Sequence, residues 1–311
     1  MEISLAKAQS RIRLGLALAS SLAGAAWAGT LTTGPLSPYY LDSSSSGTIY
    51  VVLGTSVVTS FPVAYGNPSS EGALAVSNST IYTRAAFSAG FLAGEYTLSG
   101  SPTGQDYTTP YSGSGRYFDG TSDGSHNYFV DHGADSPPPH GGVYEADLDW
   151  QNPHLIFYPA AACDALPPGC HGPSGIAYDP TNNSLWVSAK PNGEIGDYSM
   201  DGTLLAEFNA PNPFPGTSGP GWNSALGVDP ADHTLWLTDG TNTLRQYSLA
   251  PATFGLLLQS GVPNGLPFAT YESGEFNVVT PEPATFVLLL SFVAVIGSRI
   301  RHSSLFRVNL L

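Results

Sequence analysis

The chain has 311 residues, a formal net charge of −14, 35 glycines and 26 prolines, with 11% charged residues against 42% hydrophobic ones. That length holds one large β domain or two ordinary ones. Helix interiors tolerate neither Gly nor Pro, so the composition excludes a mainly helical fold, and frequent aromatic and β-branched clusters exclude a disordered chain.

At the N-terminus, Lys7, Arg11 and Arg13 precede a short apolar stretch over residues 14–25, followed by Ala26-Trp27-Ala28 and Gly29. This is the order of a secretory signal peptide, whose apolar part is too short to span a membrane stably. It predicts a signal helix within residues 1–28 and cleavage between Ala28 and Gly29. Between Gly29 and Thr280 the cations are Arg84, Arg116, Lys190 and Arg245. Removing Glu2 and Glu282 from 24 acids leaves 22, so this part carries 4 minus 22, or −18. Such a surface repels nucleic acid and anionic lipid headgroups. It suits solubility, and it would attract divalent cations or basic partners.

From there a unit of short strands recurs. SPYYLDSSSSGTIYVV places Asp42 and Tyr50, GALAVSNSTIYTRA places Ser77 and Tyr82, and GRYFDGTSDGSHNYFVDH places Asp119 and Phe129 in one frame. The frame is clearest in SGIAYDPTNNSLWVSA and SALGVDPADHTLWLTD, where Asp179 and Asp229, like Trp186 and Trp236, lie 50 residues apart. Each unit reads as an apolar strand, a polar turn and a second strand, which is a hairpin. A third strand recurs around Tyr96, Tyr198 and Tyr247, with a degenerate copy near Asp147, and a fourth short piece follows, as in LLAEF at Leu204 to Phe208. Four short strands per unit, repeated five times, predict an all-β fold, a β-propeller of five to six four-stranded blades over residues 29–280. The partial sixth copy, PFATYESGEFNVV, either forms its own blade or completes the first. Closing the ring in this way removes exposed sheet edges.

Between the third and fourth units, AACDALPPGCHG holds Cys163 and Cys170. An exported chain meets an oxidising compartment, and a loop with two prolines and a glycine can bring the two Cβ atoms within bonding range, so a local disulfide is expected.

The units GIAYDPTNNSLWVSAKPNGEIGDYSMDG and ALGVDPADHTLWLTDGTNTLRQYS resemble the NHL repeat family of propellers. The resemblance covers about a quarter of the mature chain, and it implies blades whose second-to-third and blade-to-blade loops converge near the axis. The repeated Asp42, Asp119, Asp179 and Asp229 read as turn residues, each accepting from the backbone of the next two residues. Trp186 and Trp236 read as packing between blades. Among the loops, residues 131–142 carry the most chemistry: Asp131, His132, Asp135 and His140 offer carboxylate and imidazole ligands that suit a divalent ion or an acid/base pair. Asp239 in DGTNT is a further candidate, and residues 189–193, 209–223 and the cysteine loop complete the set. No cofactor is called for beyond that divalent cation. No nucleophile elbow, metalloprotease helix, P-loop or dinucleotide fingerprint is present.

The chain closes with TPEPATFVLLLSFVAVIGSRIRHSSLFRVNLL. Residues 284–298 are uncharged, and 15 of them in a helix reach about 22 Å, short for a full crossing without neighbouring residues. Arg299, Arg301 and Arg307 place the basic end in the cytoplasm. Pro281-Glu282-Pro283, an apolar helix and a basic cluster, in that order at the extreme C-terminus, resemble the PEP-CTERM sorting signal. The resemblance implies a Gram-negative producer of extracellular polysaccharide, an exosortase that cleaves near the triplet, and delivery to the cell surface or matrix. The expected route runs through the Sec translocon, signal peptidase, an inner-membrane intermediate held by the transmembrane helix over residues 284–298, and exosortase.

Two functions fit this organisation. One is a non-enzymatic binding platform for exopolysaccharide or envelope proteins. The other is a metal-dependent hydrolase or lyase resembling gluconolactonases or streptogramin lyases, which needs ligands converging from several blades. Fold class alone does not choose between them.

Overall fold

A computed structural model describes residues 30–43, 46–63, 71–85, 92–108, 117–131, 141–159, 173–188, 193–210, 223–239 and 241–277. The predicted signal helix, the Cys163 and Cys170 pair, His132, Asp135, His140, and the tail with Pro281, Glu282, Pro283, Arg299 and Arg301 lie outside the described residues. None of the helices among the described residues is long and apolar enough to cross a membrane.

The strands are β1 (Tyr39–Ser43), β2 (Thr48–Leu53), β3 (Ser56–Pro62), β4 (Glu71–Ser77), β5 (Thr80–Ala85), β6 (Leu92–Thr97), β7 (Pro102–Thr108), β8 (Tyr117–Ser122), β9 (Asn127–Asp131) and β10 (Gly142–Ala146). They continue as β11 (His154–Phe157), β12 (Gly175–Asp179), β13 (Ser184–Ser188), β14 (Glu194–Ser199), β15 (Leu204–Asn209), β16 (Ser224–Asp229), β17 (Thr234–Thr238), β18 (Leu244–Ser248), β19 (Leu257–Gly261) and β20 (Tyr271–Phe276). They form five antiparallel four-stranded sheets. Four of these follow chain order, β4 to β7, β8 to β11, β12 to β15 and β16 to β19; the fifth is ordered β20-β1-β2-β3. The chain is a five-bladed propeller in which the last strand completes the first blade as its innermost strand.

Alternation along each strand puts side chains on both faces of a blade, and each face packs on a neighbour. Tyr39, Leu41 and Phe276 of blade 1 therefore meet Trp236 and Ala225 of blade 5, with the Tyr39 and Phe276 rings stacked at 4.5 Å. Trp186 packs with Leu226, Val228 and Leu235 of the next blade. Both tryptophans thus take the inter-blade places read for them in the sequence. The hairpin turns behave in the same way at Asp179 and Asp229, whose Oδ1 atoms accept from Thr181 N and Ala231 N at 2.9 Å. The last turn residues, Asn183 at φ 56° and His233 at φ 53°, adopt the left-handed region that Asn and His enter more readily than most residues.

Two positions differ from the sequence reading. Asp42 and Tyr50 do not occupy the first hairpin of a unit: β1 lies between β20 and β2, so Asp42 is on the second strand of its blade and Tyr50 on the third. The aromatic level of blades 2 to 5, at Tyr82, Phe129, Trp186 and Trp236, is held in blade 1 by Leu41, opposite Gly274. The frame slipped because the true first strand of that blade stands more than 200 residues downstream, which no local spacing records. The second difference is Asp119, which is no turn residue.

Candidate functional site

The inner strands of a propeller line its axis with one unpaired edge each, so their backbone N–H groups need acceptors. Asp119 supplies them. It sits at the third position of β8, where the equivalent places on the other inner strands hold Leu74, Ile176, Leu226 and Ser273. Its Oδ2 accepts from Ile176 N at 3.0 Å and Leu226 N at 2.8 Å. Its Oδ1 accepts from Gly120 N at 3.0 Å, Gly274 N at 3.1 Å and the Ser273 hydroxyl at 2.7 Å. Ser273 Oγ in turn accepts from Leu74 N at 2.8 Å. One carboxylate and one hydroxyl therefore tie all five inner strands together.

The residues one step on are Ala75, Gly120, Ala177, Gly227 and Gly274, and their small size lets the strands approach. A Cβ at Gly274 would lie 2.9 Å from Ala225 Cβ, Leu41 Cδ2 and the Tyr39 hydroxyl. A second tier follows, in which Thr121 Oγ1 accepts from Tyr178 N at 2.9 Å and bonds Glu275, while Glu275 Oε1 accepts from Phe276 N at 2.9 Å. Asp119, Ser273, Thr121 and Glu275 are all 0% exposed, so side chains fill the axis at these two levels.

Burial pushes the Asp119 carboxyl well up, and donation from Ser273, Ile176, Leu226 and Gly274 pulls against it. Five donors converge on its two oxygens and oppose the effect of burial without overcoming it. Burial also pushes Glu275 well up; Thr121, Phe276 N and Ser122 N oppose it, and the neighbouring Asp119 charge reinforces it.

At one end of the ring, the loop end, inner strands begin and second strands finish. Ser174 Oγ donates to Asn223 O at 3.2 Å, and Ser224 Oγ donates to Tyr271 O at 2.8 Å, joining neighbouring blades there. The described anchors Asp131, Ser188, Asn223 and Thr238 of the nominated loops are at this end. Two candidate ligands are described, and each has a structural partner. Asp131 is buried and faces Arg84, whose guanidinium lies 4.0 Å from the Tyr117 ring centre and 4.3 Å from that of Phe129. Asp239 accepts from Thr241 N at 3.0 Å and from the Thr241 hydroxyl, and its Oδ2 lies 3.8 Å from Arg245 Nη2. The structure therefore spends both carboxylates on cations and a turn. Among the described residues, no three His, Cys, Asp or Glu side chains are grouped to hold a metal ion.

The opposite end, the turn end, carries the hairpin turns. Here His233 Nε2 of blade 5 lies 2.9 Å from Asp179 Oδ2 of blade 4, which also accepts from Trp186 Nε1 at 3.2 Å. The corresponding Asp229 Oδ2 accepts from Leu36 N at 2.8 Å and Ser37 N at 3.2 Å, ahead of blade 1. The repeated Asp thus clasps the next blade as well as shaping its own turn. Burial pushes Asp179 up, but donation from Thr181 and His233 outweighs it and leaves the carboxyl below its ordinary value. A depressed carboxyl stabilises the fold above its unfolded pKa, and that contribution is lost as pH falls through the folded value. Replacing His233 by alanine should remove about 1 kcal/mol and lower the melting temperature by a few degrees at pH 7. It should also move the onset of acid unfolding upward. An unchanged acid limb in a pH-resolved melt would contradict the clasp.

Sheet order, a shared axis and blade-on-blade packing define this protein as a five-bladed β-propeller with a plugged axis. No family model matches the chain, and none of the curated proteins matches it. Among solved structures, it is similar to a protein of unknown function from Bacteroides thetaiotaomicron at 14% identity and TM-score 0.46, covering 81% of this chain and 68% of that one. A structure of the nidogen/laminin complex matches at 14% identity and TM-score 0.46 over 79% and 100% of the two chains. Virginiamycin B lyase from Staphylococcus aureus matches at 17% and 0.39 over 81% and 74%. At these scores the likenesses carry nothing about activity, and the fold assignment rests on the sheet topology itself.

The plug and the clasp escaped the sequence reading. A signal for the first was present: one strand of five carries Asp where three counterparts carry Leu or Ile and the fourth Ser. It could be read only once the strands were aligned by register.

Proposed function

We propose that this is an exported bacterial protein whose NHL-like propeller serves as a binding platform at the cell surface or in the extracellular matrix, sorted there through its PEP-CTERM tail. The observation that carries the reading is that the two ends of the ring differ. The described anchors of the nominated loops, Asp131, Ser188, Asn223 and Thr238, stand at one end of the ring, while β20 finishes at the other, which leaves the loop end unencumbered by the last described strand. The loops of such an end suit an extended ligand such as polysaccharide or an envelope protein. The axis favours a platform over a metal-dependent hydrolase or lyase, because its central carboxylate is consumed by backbone N–H donors.

Replacing Glu282 by alanine in the native host should leave an unprocessed, membrane-retained form with its propeller outside. Normal release of that variant from cells with an intact exosortase would overturn the sorting step. The mature ring should co-sediment with the producer's extracellular polysaccharide or with its envelope fraction. A stoichiometric, tightly held metal in the purified ring would instead favour the enzyme.

A further inference from the structure

The outer parts of three blades carry exposed acids: Asp106 on blade 2, Asp147 on blade 3, and Asp201 with Glu207 on blade 4. Residues 30–41, 43–70 and 246–271, in contrast, contain no Asp, Glu, Lys, Arg or His. The fold draws these three stretches together. β3 is the outermost strand of blade 1, β19 is that of the neighbouring blade 5, and the segment ahead of β1 bonds to both of these blades. Thr33 N donates to Gln259 Oε1 at 3.3 Å, Gly54 N to Pro35 O at 2.7 Å and Val57 N to Asn264 O at 2.9 Å, so the three stretches form one continuous face. Six of the eleven large apolar side chains exposed among the described residues stand on it: Leu36, Leu53, Val58, Leu256, Leu258 and Phe268, the last 83% exposed. Edge strands are ordinarily guarded by charge, and β3 and β19 carry none.

We propose that this charge-free face binds a second copy of the chain, the two rings meeting rim to rim across the seam between blades 1 and 5.

Charge singles out that occupant. The lysines and arginines among the described residues are Arg84 and Arg245, 1% and 5% exposed, so the described surface offers acids and no exposed Lys or Arg. Two copies therefore cannot join through opposite charges, and acidic face against acidic face repels. A contact of like with like has to be made where charge is missing, and loss of charged residues is what marks the core of an interface. A symmetric pair uses one patch twice. An apolar face that needs no complementary charge meets that condition, because each copy brings the same chemistry. A basic partner would gain nothing from this face; the exposed acids of blades 2 to 4 would draw it elsewhere.

Sedimentation equilibrium on the intact chain tests this. With rising concentration the mass should climb from one chain to two, and added salt should tighten the pair, because screening weakens the repulsion between two acidic rings. Val58→Glu combined with Leu258→Glu should raise the dissociation constant about tenfold or more. Leu205→Glu, at a comparably exposed leucine of blade 4 outside the face, should leave it unchanged. The substituted side chains are exposed, so the thermal melt should stay as in the wild type; should the double variant fail to fold, Phe268→Glu carries the same test. A single-chain mass at every concentration would overturn the proposal. So would a pair that salt dissociates, which would mean opposite charges hold it, or a pair that the double variant leaves as tight as before. A chain that stays single but sediments with phosphatidylcholine vesicles, and loses this in the double variant, would give the face to a membrane instead.

Discussion

Asp119→Asn is expected to lower the melting temperature by on the order of 10 °C, although it removes a buried charge. Two effects compete. Burying a carboxylate in a dry site is unfavourable, and neutralising it relieves that cost. Against this, an asparagine offers one acceptor oxygen where five donors now converge on two. Whichever way the amide turns, its NH2 group faces either Ile176 N and Leu226 N, or Gly120 N, Gly274 N and the Ser273 hydroxyl. At least two buried donors lose their acceptor, each costing about 1–3 kcal/mol, and a domain of this size loses about 2–4 °C per kcal/mol. Loss of acceptors wins. A thermal melt followed by near-UV circular dichroism decides the matter, and a higher melting temperature for the variant would show that charge burial dominates instead.

The other large effect concerns the end of the fold. A chain stopped after Thr270 lacks β20, and with it the buried Tyr271 and Phe276, the ladder to β1, and the Ser273 and Gly274 donors to Asp119. Each buried aromatic contributes about 1.5–3 kcal/mol, and the ladder and axial bonds add to a loss comparable with a typical total stability of about 5–15 kcal/mol. That chain should show no cooperative unfolding transition. A chain stopped after Asn277 keeps every described strand and should melt like the full-length chain. Cooperative folding of the shorter chain would mean that four complete blades and an open fifth suffice.

Much of the architecture could be read from local pattern. The hairpins at Asp179 and Asp229, the third strands at Tyr96, Tyr198 and Tyr247, and the inter-blade roles of Trp186 and Trp236 all follow from alternation and turn chemistry. Of the two places open to the partial sixth copy, the first blade is the one it takes. The first unit was placed one strand out of frame, because the residues around Asp42 match the template on composition while their hydrogen-bonded partner lies at Ser273. The candidate ligands were chosen for their side-chain chemistry, which is visible in sequence. Their partners, Arg84 for Asp131 and Arg245 for Asp239, are set by packing across strands.

The sequence by itself determined the class, the repeat and its turns, since these depend on residues a few positions apart. Only the tertiary structure decided the blade count, the closing strand and the meaning of Asp119. Those depend on which strand edges face one another around the axis, where five backbones bring N–H groups to one point: the Asp119 carboxylate accepts from its own strand and from three strands 57 to 155 residues away, and the Ser273 hydroxyl answers the fifth.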